Sequence, residues 1–167
     1  MRYEEWVEQV PAAITRDALW RTEVYRLALF VSELAWYDTC KLAKSVQMRS
    51  LSDQLYRAVG SVGANIAEGY SRASGKDQAR LYEYALGSAR EARHWYFQSR
   101  PVLGEVVAVH RMELLAQISR HLLRMIPKYR GAHVKEENPQ YETQPLERLL
   151  QNVPMADETG QTPAISL

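Results

Sequence analysis

Cysteine is nearly absent: Cys40 stands alone, so no disulfide framework can form within the chain, and such usage suits a reducing compartment. No apolar run approaches the roughly 20 residues that a membrane-spanning helix needs. Residues 1–15 are acidic and lack the apolar stretch of a secretory leader, so the expected location is cytoplasmic, with no membrane partner. Phosphate-binding loops, a dinucleotide fingerprint and a nucleophile elbow are also missing. The stretch "GSVG" at 60–63 is no substitute, because it lies inside a helical pattern and not between a strand and a helix. Glu91 and His94 make one E-x-x-H pair, but a di-iron bundle wants a second such pair and two further glutamates on other helices. His110 and Glu113 run in the reverse order. Cys40 falls in a predicted helix with no histidine close in sequence, and is expected to be a packed or surface thiol. These absences predict no catalytic residue, no metal, no cofactor and no enzyme.

What is present is helical periodicity. A first helix is predicted over about 16–46, where Trp20, Val24, Leu27, Val31 and Leu34 recur at steps of four and three. A second covers about 51–73, with the stripe Leu51, Leu55, Ala58, Val62 and Ile66 and a capping pattern from Ser50 to Asp53. "SGKD" breaks the chain at Gly75, and Ser74 with Asp77 repeats the capping pattern. A third helix covers about 76–99, with Leu81, Ala85, Ser88, Ala92 and Trp95 facing inward, and is expected to stop before Pro101. The fourth covers about 105–126, with Leu115, Ile118, Leu122 and Met125 buried, and is expected to end at Pro127. Four helices with short breaks predict an all-α, antiparallel up-down-up-down four-helix bundle over 16–130. Residues 1–15 form an N-terminal extension in which "YEEWVEQV" can make a short helix. Residues 131–167 form an acidic, proline-containing tail, expected to be mostly disordered, in which "PLERLLQNV" can make an amphipathic turn or two that docks on the body.

The net charge of +1 conceals a segregation: residues 1–40 carry −3, residues 41–135 carry +9 and residues 136–167 carry −5. A basic body between acidic ends admits an anionic partner such as RNA or DNA. Arg120, Arg124 and Lys128 follow at steps of four along one helix edge, and Arg90, Arg93 and Arg100 lie on the third helix among Tyr82, Tyr84, His94, Trp95 and Tyr96. Basic groups beside aromatics bind phosphates and stack bases, although aromatics at helical spacing also serve as core. The tail's negative charge could fold back over this body.

The second helix carries two further lines. Gly60, Ala64, Ala67 and Ser71 form a strip of small residues bordered by Gly63. Each interior glycine costs about 0.5–1 kcal/mol relative to alanine, which suggests close helix packing, within the bundle or between subunits. Gln54, Arg57, Ser61, Asn65, Glu68 and Arg72 form a polar line one residue's rotation from the apolar stripe. Half-buried, such a line needs partners, and Arg57 or Arg72 facing Glu68 or Glu91 is one way to supply them. It serves either as a register-fixing network or as a ligand surface.

The stretch "QLYRAVGSVGANIAEGYSR" at 54–72 resembles the second-helix signature of the 23S rRNA intervening-sequence proteins, roughly Q-L-R-R-A-x-x-S-I-x-x-N-I-A-E-G-x-x-R. Gln54, Leu55, Arg57, Ala58, Ser61, Asn65, Ile66, Ala67, Glu68, Gly69 and Arg72 match it. "LYEYALGSAREA" is similar to the family's third-helix pattern at Ala85, Gly87, Ser88 and Glu91, and the likeness covers about 17–128. Tyr56 stands where the family has the first of two arginines, and Gly60, Gly63 and Ala92 replace bulkier residues. The resemblance implies a small bacterial bundle without known catalysis that self-associates, as a homo-pentamer. It also implies a fold similar to the basic pentameric barrels that assist diversity-generating retroelements and bind nucleic acid and a protein partner.

Overall fold

The structure is a computed structural model that describes residues 2–130 and 144–156. All regular structure among these residues is helical. Helices α1 (Tyr3–Gln9) and α2 (Ala12–Thr15) precede a 3₁₀ turn at Ala18–Arg21. Four long helices follow: α3 (Glu23–Ala43), α4 (Arg49–Tyr70), α5 (Gly75–Leu103) and α6 (Glu105–Arg130); α7 (Leu146–Gln151) comes last. Each long helix packs on the next, and α3 also packs on α6, so the four enclose one core. The predicted stripes supply it: Val24, Leu27 and Val31 from α3, Leu55, Val62 and Ile66 from α4, Ala85 and Ala92 from α5, and Leu115, Ile118 and Leu122 from α6 are all buried. Both short helices anticipated outside the body are present, as α1 and α7. Residues 131–143 and 157–167, where most of the expected tail disorder falls, lie outside the described residues.

The ends of the long helices differ from expectation. The first does not run unbroken from 16. Asp17 Oδ1 accepts from the Leu19 amide (2.8 Å) and caps the 3₁₀ turn, and Thr22 is extended (φ −82°, ψ 111°), so α3 starts at Glu23. Trp20 therefore lies on the turn, where its carbonyl accepts from Arg26 Nη1 (2.9 Å). Ser50 does not cap α4, because the helix already begins at Arg49. Ser74 occupies the N-cap position of α5 without a side-chain capping bond, and Gly75 is the first helical residue.

Pro101 does not end α5, which continues to Leu103. A proline at this position removes the amide that would bond to the Phe97 carbonyl. Arg100 Nε donates to that carbonyl instead (3.0 Å), and the Arg100 guanidinium lies 3.6 Å from the Phe97 ring centre. The helix stops where Gly104 takes φ +88°, a conformation costly for any residue with a Cβ. Pro127 is likewise inside α6, which runs to Arg130. Contacts beyond the proline hold this last turn: Arg130 Nη2 donates to Glu83 Oε2 on α5 (2.8 Å), and the Tyr129 ring meets Tyr82 edge-on at 5.4 Å.

A second, smaller apolar cluster lies on the outer side of α3 and α6. Trp6, Phe30, Leu34, Leu114 and Leu149 are its buried members. Tyr3 and Trp6 of α1 both pack on Phe30, the first edge-on and the second tilted, each with ring centres 5.1 Å away. The N-terminal and C-terminal segments thus cover the same face of the body.

Candidate functional site

Under that cover lies a set of polar residues buried together. Asp38 (α3), Tyr96 (α5) and Arg111 (α6) are each fully inaccessible to solvent. Arg111 Nε donates to Asp38 Oδ2 (2.8 Å) and Nη2 donates to Oδ1 (3.2 Å), the two-pronged geometry that suits a planar guanidinium and a carboxylate. Tyr96 Oη also donates to Asp38 Oδ2 (3.0 Å). Burial, reinforced by the Asp38 carboxylate, holds the Tyr96 phenol well above its ordinary pKa, so it remains a donor.

The network continues to the C-terminal segment. Arg111 Nη2 donates to the Pro154 carbonyl (2.8 Å), and Arg111 Nη1 lies 2.9 Å from His110 Nδ1. An arginine has no acceptor, so Nδ1 must accept, and the neutral His110 ring carries its proton on Nε2. Nε2 therefore donates to the Leu149 carbonyl, 2.7 Å away. Burial lowers the His110 pKa to about 4, with neighbouring Arg111 acting in the same direction and the Leu149 carbonyl opposing. Gln117 Nε2 adds a third bond to this segment, at the Gln144 carbonyl (3.0 Å).

These four residues were not singled out as a group from sequence, yet a signal was there. Asp38 continues the α3 stripe at Leu34, Asp38 and Leu42, and Arg111 continues the α6 stripe at Ala108, Arg111 and Leu115. Opposite charges at core positions of two helices are expected only where they meet.

The basic residues occupy two helices. On α6, Arg124 and Lys128 are exposed and Arg120 is partly buried. His121 lies between them; burial lowers its pKa, Glu23 opposes this, and Arg124 and Arg120 add to it. On α5, Arg90 is exposed and Arg93 partly buried, while Arg100 approaches Glu105 (3.5 Å). Of the interleaved aromatics, Tyr82 and Tyr96 are core, whereas Tyr84 is exposed.

The polar line of α4 is bonded mainly along its own helix. Asn65 Nδ2 donates to the Ser61 carbonyl (2.8 Å), and Arg72 pairs with Glu68 one turn away. Arg57 is exposed and Gln54 half-buried. Glu91 accepts from Trp95 Nε1 (3.2 Å), and the His94 ring stands edge-on to Trp95, so both groups of the E-x-x-H pair are engaged by one half-buried indole. Among the described residues, no group of three or more His, Cys, Asp or Glu side chains is arranged to hold a metal ion. Cys40 is exposed.

The small residues of α4 divide. Gly63 is buried, where a Cβ would meet the Ala28 methyl at 3.8 Å, and Ala67 packs against the core, but Ala64 is exposed and a Cβ at Gly60 would meet nothing within 4 Å. Close approach is needed instead at Gly69, where a Cβ would stand 2.8 Å from the Tyr82 ring. A groove of about 530 Å³ opens between the N-terminal segment and α3, lined in part by Ile14, Trp36 and Tyr37 and by Tyr56 of α4, whose apolar surfaces are exposed.

Among the described residues, no helix is long and apolar enough to cross a membrane. No curated protein and no solved structure is matched by the chain. The family model of the 23S rRNA-intervening sequence protein matches residues 21–126, which takes in α3, α4, α5 and most of α6 and leaves α1, α2 and α7 outside. The match covers well over half of the sequence, and the chain belongs to the 23S rRNA-intervening sequence protein family.

Proposed function

We propose that this chain is a non-enzymatic, antiparallel up-down-up-down four-helix bundle that self-associates and binds RNA or DNA through the basic edges of α5 and α6. The bundle topology is supported by the packing of each long helix on the next and of α3 on α6. The observation that carries nucleic-acid binding is the concentration of +9 within residues 41–135, with Arg90, Arg124 and Lys128 presented to solvent. Arg93, Arg100 and Arg120 flank those groups and extend the positive field. Self-association, as the pentamer that the resemblance implies, is supported by the outward-facing Gly60 and Ala64, which leave room for a neighbouring backbone. A cytoplasmic site of action is consistent with the lone, exposed Cys40.

Anisotropy of a labelled mixed-sequence RNA provides the test. Binding should fall by at least tenfold between about 50 and 200 mM salt. The exposed pair Arg124→Glu and Lys128→Glu should weaken it further while leaving the melting temperature within a few degrees. Absent or salt-insensitive binding would remove the proposal. Light scattering on the same samples gives the oligomer mass.

A second reading, a protein-interaction module without a nucleic-acid ligand, is favoured by the aromatic groove along α3. Trp36 and Tyr56, about half exposed, stand edge-on with ring centres 6.0 Å apart. Aromatics presented in this way are typical anchors of protein interfaces. This reading predicts that Trp36→Ala reduces oligomer mass while RNA stays unbound.

A further inference from the structure

The segment from Gln144 to Ala156 meets the body as a bound peptide meets a receptor. On α7, Leu146, Leu149 and Leu150 follow at i, i+3 and i+4, the anchor spacing of a helix lying in a groove, and Val153 follows just past the helix end. Leu149 is buried against the cluster of Trp6, Phe30, Leu34 and Leu114, and Leu146, Leu150, Val153 and Met155 pack around it. Three hydrogen bonds from the body reach main-chain carbonyls of this segment, His110 to Leu149, Arg111 to Pro154 and Gln117 to Gln144, and Glu113 feels the charge of Arg148. Main-chain contacts fix the position of a peptide, and the side-chain pockets select its sequence.

The receiving groups are held independently of that segment. Asp38 orients Arg111 with two hydrogen bonds and is itself held by Tyr96, and Arg111 orients His110. Such a site is organised before its occupant arrives, which lowers the cost of binding. Arg130 and Gln144 are joined only through residues 131–143, so the segment is tethered to its groove, and tethering raises its effective concentration to the millimolar range or so. The amphipathic docking expected of "PLERLLQNV" is what holds this part: residues 144–156 carry only Glu147, Arg148 and Ala156 neighbour-free of further charge up to that point, and are held by apolar anchors and carbonyl contacts.

We propose that the groove between α1, α3 and α6 is a helix-binding site whose tethered ligand is residues 144–156, exchangeable for the same segment supplied in trans. The family match ends at residue 126, so the ligand lies outside the matched region while Asp38, Tyr96, His110 and Arg111 lie within it.

The test uses the full-length protein cut once, at a protease site placed within residues 131–143. After cleavage the C-terminal fragment should stay with the body on a sizing column. An excess of synthetic peptide 144–156 should displace it, and a fluorescein-labelled copy of that peptide should then bind with saturable anisotropy. A peptide carrying Leu149→Asp, which leaves the body unaltered, should compete at least about 100-fold less well. Two results overturn the proposal. One is loss of the fragment with no rebinding of peptide. The other is a retained fragment that excess peptide never displaces, which would make α7 an integral part of the core.

Discussion

Two of the carboxylate–guanidinium pairs among the described residues stand in opposite settings. On α4, Glu68 and Arg72 pair along one helix with side chains 52% and 48% exposed. Between α3 and α6, Asp38 and Arg111 pair with both side chains at 0%. The exposed pair competes with water and ties a helix to itself, so it adds at most about 1 kcal/mol. The buried pair has no water to fall back on. Either member alone would be an uncompensated buried charge, and the loss of its partner is expected to cost several times as much. The contrast shows that residue type reveals little about a polar group's role; its register relative to the apolar stripe reveals more.

The largest effect tests that contrast directly. Asp38→Ala leaves the Arg111 charge buried, and Arg111→Met leaves the Asp38 carboxylate with Tyr96 as its remaining donor. Each single change should lower the unfolding free energy by about 3–5 kcal/mol, read from urea midpoints at constant slope. Replacing both, by Asp38→Leu with Arg111→Met, should cost less than either single change, because no orphaned charge remains. If the losses simply add, the two residues do not act as a pair and the comparison with α4 collapses.

The four long helices were legible in sequence because steps of three and four place the apolar residues on one face. Their ends were less legible, because they depend on tertiary contacts. Pro101 reads as a stop, but the Arg100 side chain satisfies the Phe97 carbonyl that the proline leaves open, a local repair. Pro127 also reads as a stop, but Arg130 and Tyr129 find partners on α5 that hold the final turn. The basic residues and the α4 polar line could be found from spacing alone. The buried network could not be found by the search for catalytic or metal motifs, since it belongs to none of them. It was accessible only as two interruptions of the apolar stripes, at Asp38 and Arg111, whose meaning depends on knowing that α3 and α6 touch.

Acidification should reach the buried network through His110. The unfolded chain protonates His110 near its ordinary value of 6.5, and the folded chain only near 4. Between these values the unfolded state binds more protons, so stability falls as pH drops from 6.5 to 4 and levels off below. The His110 share of that loss is on the order of 3 kcal/mol. His121, also shifted downward by burial, adds to the loss, whereas Glu113, shifted upward by burial, opposes it. His110→Gln separates the contributions. Its amide can donate to the Leu149 carbonyl and accept from Arg111 without titrating. Denaturant unfolding at several pH values should give a shallower profile for this variant; an unchanged profile would mean that His110 does not sense the buried charges around it.

The smallest expected effects lie on the outer face of α4, and there the sign matters more than the size. Glu68→Ala should cost under about 1 kcal/mol, since the pair it breaks is half exposed. Gly60→Ala should do the reverse. A Cβ at residue 60 meets nothing within 4 Å, and alanine relieves a helix-interior glycine, so the isolated chain should gain about 0.5–1 kcal/mol. That gain holds only if the face is open in solution. If Gly60 and Ala64 lie against another subunit's backbone, the added methyl group has to displace it. The same substitution would then lower the oligomer mass and turn the gain in melting temperature into a loss. Measuring both quantities on one sample separates the two cases. A stabilised protein of unchanged mass assigns this face to solvent, and a destabilised, smaller one assigns it to an interface.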